Sequence, residues 1–154
     1  MNKNTINIGV PSKGRLKNDT LNIFKKKKLR IYSERGERDL FGYIKKFNVK
    51  IIYLHARECI EQLSLGNIDV GFSGIDLLKE SEINIQNKIN VVKKLNFGSA
   101  NLVVAIPDPW IDVQTIADLE EIAFEFKDKK KKKLRVATKY PNLTRDFLFS
   151  KGVT

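Results

Sequence analysis

A chain of 154 residues with 42% hydrophobic and 31% charged side chains and only four prolines has a globular composition, which excludes a disordered or fibrous class. No apolar run approaches the ~20 residues of a membrane span. A lone cysteine, Cys59, excludes an internal disulfide framework and fits a reducing, cytoplasmic compartment. The formal net charge of +11 favours anionic ligands, although nine of the positive charges lie in two short runs, Lys25–Lys28 and Lys129–Lys133.

In chain order, Met1–Thr5 leads directly into strand residues, so no secretion leader is expected. Ile6, Ile8 and Val10 read as a short strand, and Leu16, Thr20, Leu21 and Phe24 as one face of a helix. Between them lies Val10-Pro11-Ser12-Lys13-Gly14-Arg15-Leu16. A small-residue turn from strand to helix exposes backbone N–H groups at the positive end of the helix dipole. Lys13 and Arg15 add cationic charge, and Gly14 lets a ligand approach the backbone. Two readings stand: a turn built for an anion, most naturally a phosphate, or an ordinary turn capped by Ser12 or Asn18.

Lys25–Lys28 ends that helix, where cations are favoured by the dipole. Leu29–Tyr32 reads as a short strand, followed by a polar loop, 33–39, that contains Arg35 and Arg38. Val49–Leu54 is a stronger strand. Ala56, Ile60 and Leu63 fall at helical spacing and Gly66-Asn67 closes that helix, with Cys59 packed on it rather than poised as a nucleophile and His55 structural or at the surface. Ile68–Phe72 reads as a strand entering a second small-residue turn, Ser73-Gly74-Ile75-Asp76, before another helix. Val91–Leu95 reads as a strand, Asn96–Asn101 as a crossing point, and Leu102–Ile106 as an apolar strand stopped by Pro107.

Thr115–Asp118 has the form of a capping box with Asp in place of Glu or Gln. Ile116, Leu119, Ala123 and Phe126 supply the buried face of the helix that follows. After the second lysine run come a strand, Leu134–Ala137, the turn Thr138-Lys139-Tyr140, and a helix opened by Pro141 that carries Leu143, Phe147 and Leu148. Alternating strands and helices predict an α/β fold with a mostly parallel sheet, whose ligands lie beyond the carboxyl ends of the strands.

Four segments, VPSKGRLK at 10–17, GNIDVGFSGIDLL at 66–78, LNFGSANLVVAIP at 95–107 and RVATKYPNLTR at 135–145, together resemble the short-form catalytic subunit family of ATP phosphoribosyltransferase. The resemblance implies a two-lobed, periplasmic-binding-protein-like α/β fold with mostly parallel sheets. The first lobe would be 1–97 without its return strands, and the incomplete second lobe 98–154. It implies attack by N1 of ATP on C1 of phosphoribosyl pyrophosphate with release of pyrophosphate, the first step of histidine biosynthesis, with magnesium accompanying the polyphosphates. Arg15 and Arg38 match family arginines near the pyrophosphate, with Arg35 the rival of Arg38. Ser12, Lys13, Gly14, Ser73, Gly74, Thr138, Lys139 and Tyr140 match positions lining the nucleotide cleft. A homo-oligomer working with a histidyl-tRNA-synthetase-like regulatory subunit is implied in the same way.

The family's phosphoribosyl pyrophosphate loop, an Asp-…-Thr-Gly-x-Thr-Leu segment, has no counterpart here, so the chain reads as an N-terminal fragment, inactive alone. The alternatives are a non-enzymatic lobe that binds an anionic metabolite and, subordinate to both, a nucleic-acid-binding protein. Aromatic residues do not interleave with either lysine run, as a stacking platform requires.

Overall fold

Ile6, Ile8 and Val10 form the expected strand in the computed structural model of the chain, which describes residues 5–34, 36 and 39–153. It is β1 (Ile6–Pro11), followed by α1 (Gly14–Lys26). Next come β2 (Phe41–Ile44), a 3-10 turn at Lys45–Phe47, β3 (Val49–Leu54), α2 (Ala56–Ser64), β4 (Val70–Gly71), α3 (Ile75–Glu80) and α4 (Ile83–Gln86). After a long irregular stretch the chain forms α5 (Ile116–Asp128) and α6 (Pro141–Ser150). It divides into two compact units, Met1–Ser99 and Ala100–Thr154. Among the described residues no helix is long and apolar enough to cross a membrane.

The fold is α/β, with an open sheet in the order β2-β3-β1-β4. β1 pairs in parallel with β3 (Ile8 opposite Ile51) and with β4 (Gly9 opposite Gly71), while β2 adds an antiparallel edge (Ile44 opposite Val49). The sheet is therefore mixed but mostly parallel. Strand alternation sends Val10, Ile51, Val49 and Ile44 to one face, where Phe24 of α1 closes the core and Phe72 packs against Phe24 at 5.7 Å. On the opposite face α2 lies against β1 and β4, with the buried Cys59 thiol 3.7 Å from the Gly9 carbonyl. Helix α2 ends as expected: the N–H groups of Gly66 and Asn67 bond back to the Leu63 and Gln62 carbonyls, a Schellman pair.

The second unit is helical among its described residues. Leu119 and Ala123 of α5 and Leu148 of α6 are buried with Val113 and Val153, and Trp110 meets Phe126 at 6.1 Å. The expected capping box is present: the Asp118 carboxylate accepts from the Thr115 N–H at 2.6 Å, and the Thr115 hydroxyl oxygen accepts from the Asp118 N–H at 3.3 Å. Pro141 opens α6 as its sequence position requires.

Four expected strands do not form. Of Leu29–Tyr32 only Tyr32 pairs, in an isolated antiparallel bridge to Tyr43. Val91–Leu95, Leu102–Ile106 and Leu134–Ala137 are irregular. A strand exists only through its ladder, and among the described residues no segment runs alongside these three. Most of their apolar side chains consequently face solvent, with Val92 at 95% and Val103 at 74% exposure, while Leu134 packs partly against the core of the second unit. The strand expected over Ile68–Phe72 shortens to the two residues of β4, whose ladder with β1 is supplemented by the Phe72 N–H bonding the Gly9 carbonyl.

Candidate anion-binding site

Because β3, β1 and β4 run parallel, their carboxyl ends emerge along one edge of the sheet, and α2, α1 and α3 begin there. Two crossovers diverge at this edge. The first, through α1, leads to β3 on one side of β1. The second, through α2, carries the chain across to β4 on the other side and covers the opposite face. Such a reversal is the switch point at which open parallel sheets bind ligands. The turns at Ser12–Arg15 and Ser73–Gly74 flank it.

Two hydrogen bonds tie the edge together. The Ser12 N–H donates to the Leu54 carbonyl at 2.7 Å, and the Ser73 hydroxyl donates to the Ala56 carbonyl at 2.7 Å. At the Ser12–Leu54 bond lies a small hollow of about 70 Å³ lined by Pro11–Lys13, Leu16 and Leu54–Ala56.

The three helix starts differ in their electrostatics. α2 is closed by its own residues: the His55 Nδ1 accepts from the Arg57 N–H at 3.4 Å, and the Glu58 carboxylate accepts from the His55 N–H at 3.3 Å. α3 carries Asp76 in its first turn. α1 has no side-chain cap and no acidic residue in its first turn. Neither Ser12 nor Asn18 caps it; the N-cap position is Lys13, in extended conformation. Gly14 follows with φ of +76°, and a side chain there would meet nothing within 4 Å. The free N–H groups of α1 thus remain available at the positive end of its dipole. Lys13 and Arg15 are exposed, and among the described residues neither is in an ion pair. This edge can hold an anion through backbone amides and two cations.

The structure places the sequence-derived residues as follows. Ser12, Lys13, Gly14 and Arg15 form the α1 start, while Ser73 and Gly74 form the start of α3 on the same edge. Ser73 commits its proton to α2 and so acts as a tie between elements. Arg38, with its rival Arg35, lies outside the described residues. Thr138, Lys139 and Tyr140 belong to the second unit, where the Thr138 hydroxyl oxygen accepts from the Tyr140 N–H at 3.0 Å and meets the Thr144 hydroxyl at 2.9 Å, shaping the entry to α6. Sequence reasoning missed the contribution of His55 and Ala56 to the hollow. Their position directly after a strand that parallels β1 was the available signal. Cys59 is fully buried, and burial pushes its thiol up to about 11, so it is no nucleophile.

Among the described residues no group of three or more His, Cys, Asp or Glu side chains is gathered as a metal site. The donors at the edge suit phosphate oxygens rather than a cation.

An open, mostly parallel sheet with an uncapped, cation-flanked helix start at its switch point defines an open-sheet α/β protein with a candidate anion-binding edge. The family model described as HisG: ATP phosphoribosyltransferase matches residues 55–154, and the chain belongs to that family. Curated relatives named ATP phosphoribosyltransferase include those of Nitrobacter winogradskyi and Nitrobacter hamburgensis, each 44% identical over 147 residues, which is 95% of this chain and 45% of the relative. That of Afipia carboxidovorans is 42% identical over the same share of each chain. The chain therefore spans a little under half the length of these relatives. So little of it is left out that Ser12–Arg15 falls within the matched stretch.

Proposed function

We propose that this chain supplies the nucleotide- and pyrophosphate-binding edge of an ATP phosphoribosyltransferase, which transfers phosphoribosyl from phosphoribosyl pyrophosphate to N1 of ATP. The activity is that of a whole protein of the relatives' length, and this chain is read as part of it. The observation that carries the reading is the uncapped start of α1 at the switch point, flanked by Lys13 and Arg15, neither of them ion-paired among the described residues.

The nucleophile is a neutral ring nitrogen, so the reaction asks the protein for alignment and for stabilisation of charge growing on the departing pyrophosphate. Arg15 suits that task because its guanidinium matches phosphate oxygens bidentately and stays charged. The amides of α1 and the ammonium of Lys13 add fixed and mobile positive potential. Gly14 keeps the approach open, and Ser12, tied to Leu54, fixes the turn. Arg38, Thr138, Lys139 and Tyr140 are assigned to the same substrates through the family resemblance. Magnesium is assigned to the polyphosphate substrates through the same family resemblance. A homo-oligomer with a histidyl-tRNA-synthetase-like regulatory subunit belongs to the same reading, and co-purification tests it.

The decisive experiment is Arg15→Ala. In the 154-residue chain, ATP affinity measured by calorimetry falls by about fivefold, as expected for one exposed charged hydrogen-bonding group. In the protein extended to the length of its relatives, turnover collapses. Unchanged turnover in the extended protein would remove Arg15 from the site.

A further inference from the structure

The face of the sheet that α2 covers at β1 and β4 is open at β2. Phe41 and Tyr43 alternate outward on β2 while Gly42 and Ile44 are buried, and Tyr32 extends the row through its bridge to Tyr43. The three rings are 46% (Tyr32), 38% (Phe41) and 43% (Tyr43) exposed. Cations stand among them. Lys50, directly opposite Tyr43 on β3, lies 4.3 Å from the Phe41 ring, and Arg30 and Lys45 lie 5.2 and 5.7 Å from the Tyr32 ring. Among the described residues none of these three cations is in an ion pair, and the Tyr32 and Phe41 rings each carry a cation over one face while staying partly open to water.

The long lysine runs lack interleaved aromatics; this sheet face has them. We propose that the Tyr32–Tyr43–Phe41 face is a binding platform for single-stranded nucleic acid, with bases stacking on the rings and Arg30, Lys45 and Lys50 tracking the phosphates. Charge complementarity selects the occupant. A second copy of this chain brings net charge of the same sign (+11) and is disfavoured. An acidic protein would satisfy the cations but has no use for three rings presented at strand spacing. A single strand uses both, because every base carries a π-face and every nucleotide a phosphate. The platform lies on β2, the far edge of the sheet from β4, and involves none of the residues assigned to the phosphate-binding turn.

The test is fluorescence anisotropy of a short labelled oligouridylate with the 154-residue chain across a salt series. Duplex RNA of equal charge and polyglutamate serve as competitors. Tyr32→Leu and Tyr43→Leu keep apolar bulk and remove the stacking surface. Each is expected to weaken single-strand binding roughly tenfold with the salt slope unchanged. Lys50→Ala is expected to lower the slope by about one. Tyr43→Phe, which keeps the ring, binds as the unaltered chain does, and circular dichroism verifies that each variant is folded. The proposal is overturned if the Leu variants bind normally while neutralising Lys129–Lys133 abolishes binding. It is equally overturned if duplex or polyglutamate competes as well as the single strand, the latter result marking the face as a site for an acidic protein.

Discussion

The hydroxyl of Ser73 donates to the carbonyl of Ala56 at 2.7 Å, joining the turn after β4 to the first residue of α2. It crosses seventeen residues of sequence and fixes the spacing of two helix starts on the carboxyl edge of the sheet. Ser73→Ala removes the donor from a half-buried site and is expected to cost about 1 kcal/mol. Urea denaturation should show a lower midpoint with an unchanged slope. ATP affinity should fall with it, because the Ser73–Gly74 turn is no longer held.

Gly14 tests backbone conformation without packing. Its φ of +76° disfavours any L side chain, yet nothing lies within 4 Å of the added carbon. Gly14→Ala is therefore expected to lose roughly 1–2 kcal/mol to strain alone. The variant should also bind ATP more weakly, as the turn relaxes and its N–H groups point elsewhere. Calorimetry on the folded variant checks both.

Burial holds the Cys59 thiol at about 11. At pH 8 roughly one native molecule in a thousand carries the thiolate, so thiol reagents should label Cys59 only after denaturation. The raised value also sets a stability trend. Stability from this group is complete below the unfolded value of about 8.5 and declines as pH climbs towards about 11, because only the unfolded chain ionises in that window. Cys59→Ala should flatten the alkaline limb of a melting-temperature profile.

Asp118 has the opposite sign. The Gln114 and Thr115 N–H groups and the Thr115 hydroxyl hold its carboxyl below the ordinary carboxylate range. Its contribution is present above the unfolded value of about 3.9 and is lost as pH falls through the lower native value. Amide exchange in the first turn of α5 should accelerate in that acid window, and Asp118→Asn should accelerate it already at neutral pH.

The sequence made β1, β3, α1, α2, α5 and α6 legible because each carries its own signal: alternation, a 3.6-residue apolar stripe, or a cap. The turn from β1 into α1 was legible for the same reason, since its small and basic residues stand between a strand and a helix. β2 was not. Phe41–Ile44 is four residues with a glycine inside, and it becomes a strand only by pairing with β3. Leu102–Ile106 shows the converse case. It has the composition of a buried strand, but composition cannot provide the neighbour whose N–H and C=O groups complete a ladder. His55 escaped notice as a lining residue because its capping role satisfies every local expectation for a histidine before a helix.

Gly9 and Gly71 face each other in register beneath Cys59, and a carbon added to either would stand 2.9 or 2.6 Å from its sulfur. Helix α2 can therefore rest on the sheet only where two neighbouring strands are bare, and its height above them is set by atoms that are missing. The same helix opens at the carboxyl edge of the sheet with His55 and Ala56, which line the small hollow there. Enlarging either glycine would lift the whole rod and shift its mouth, so a substitution deep in the interior would announce itself first as a distorted hollow at that edge.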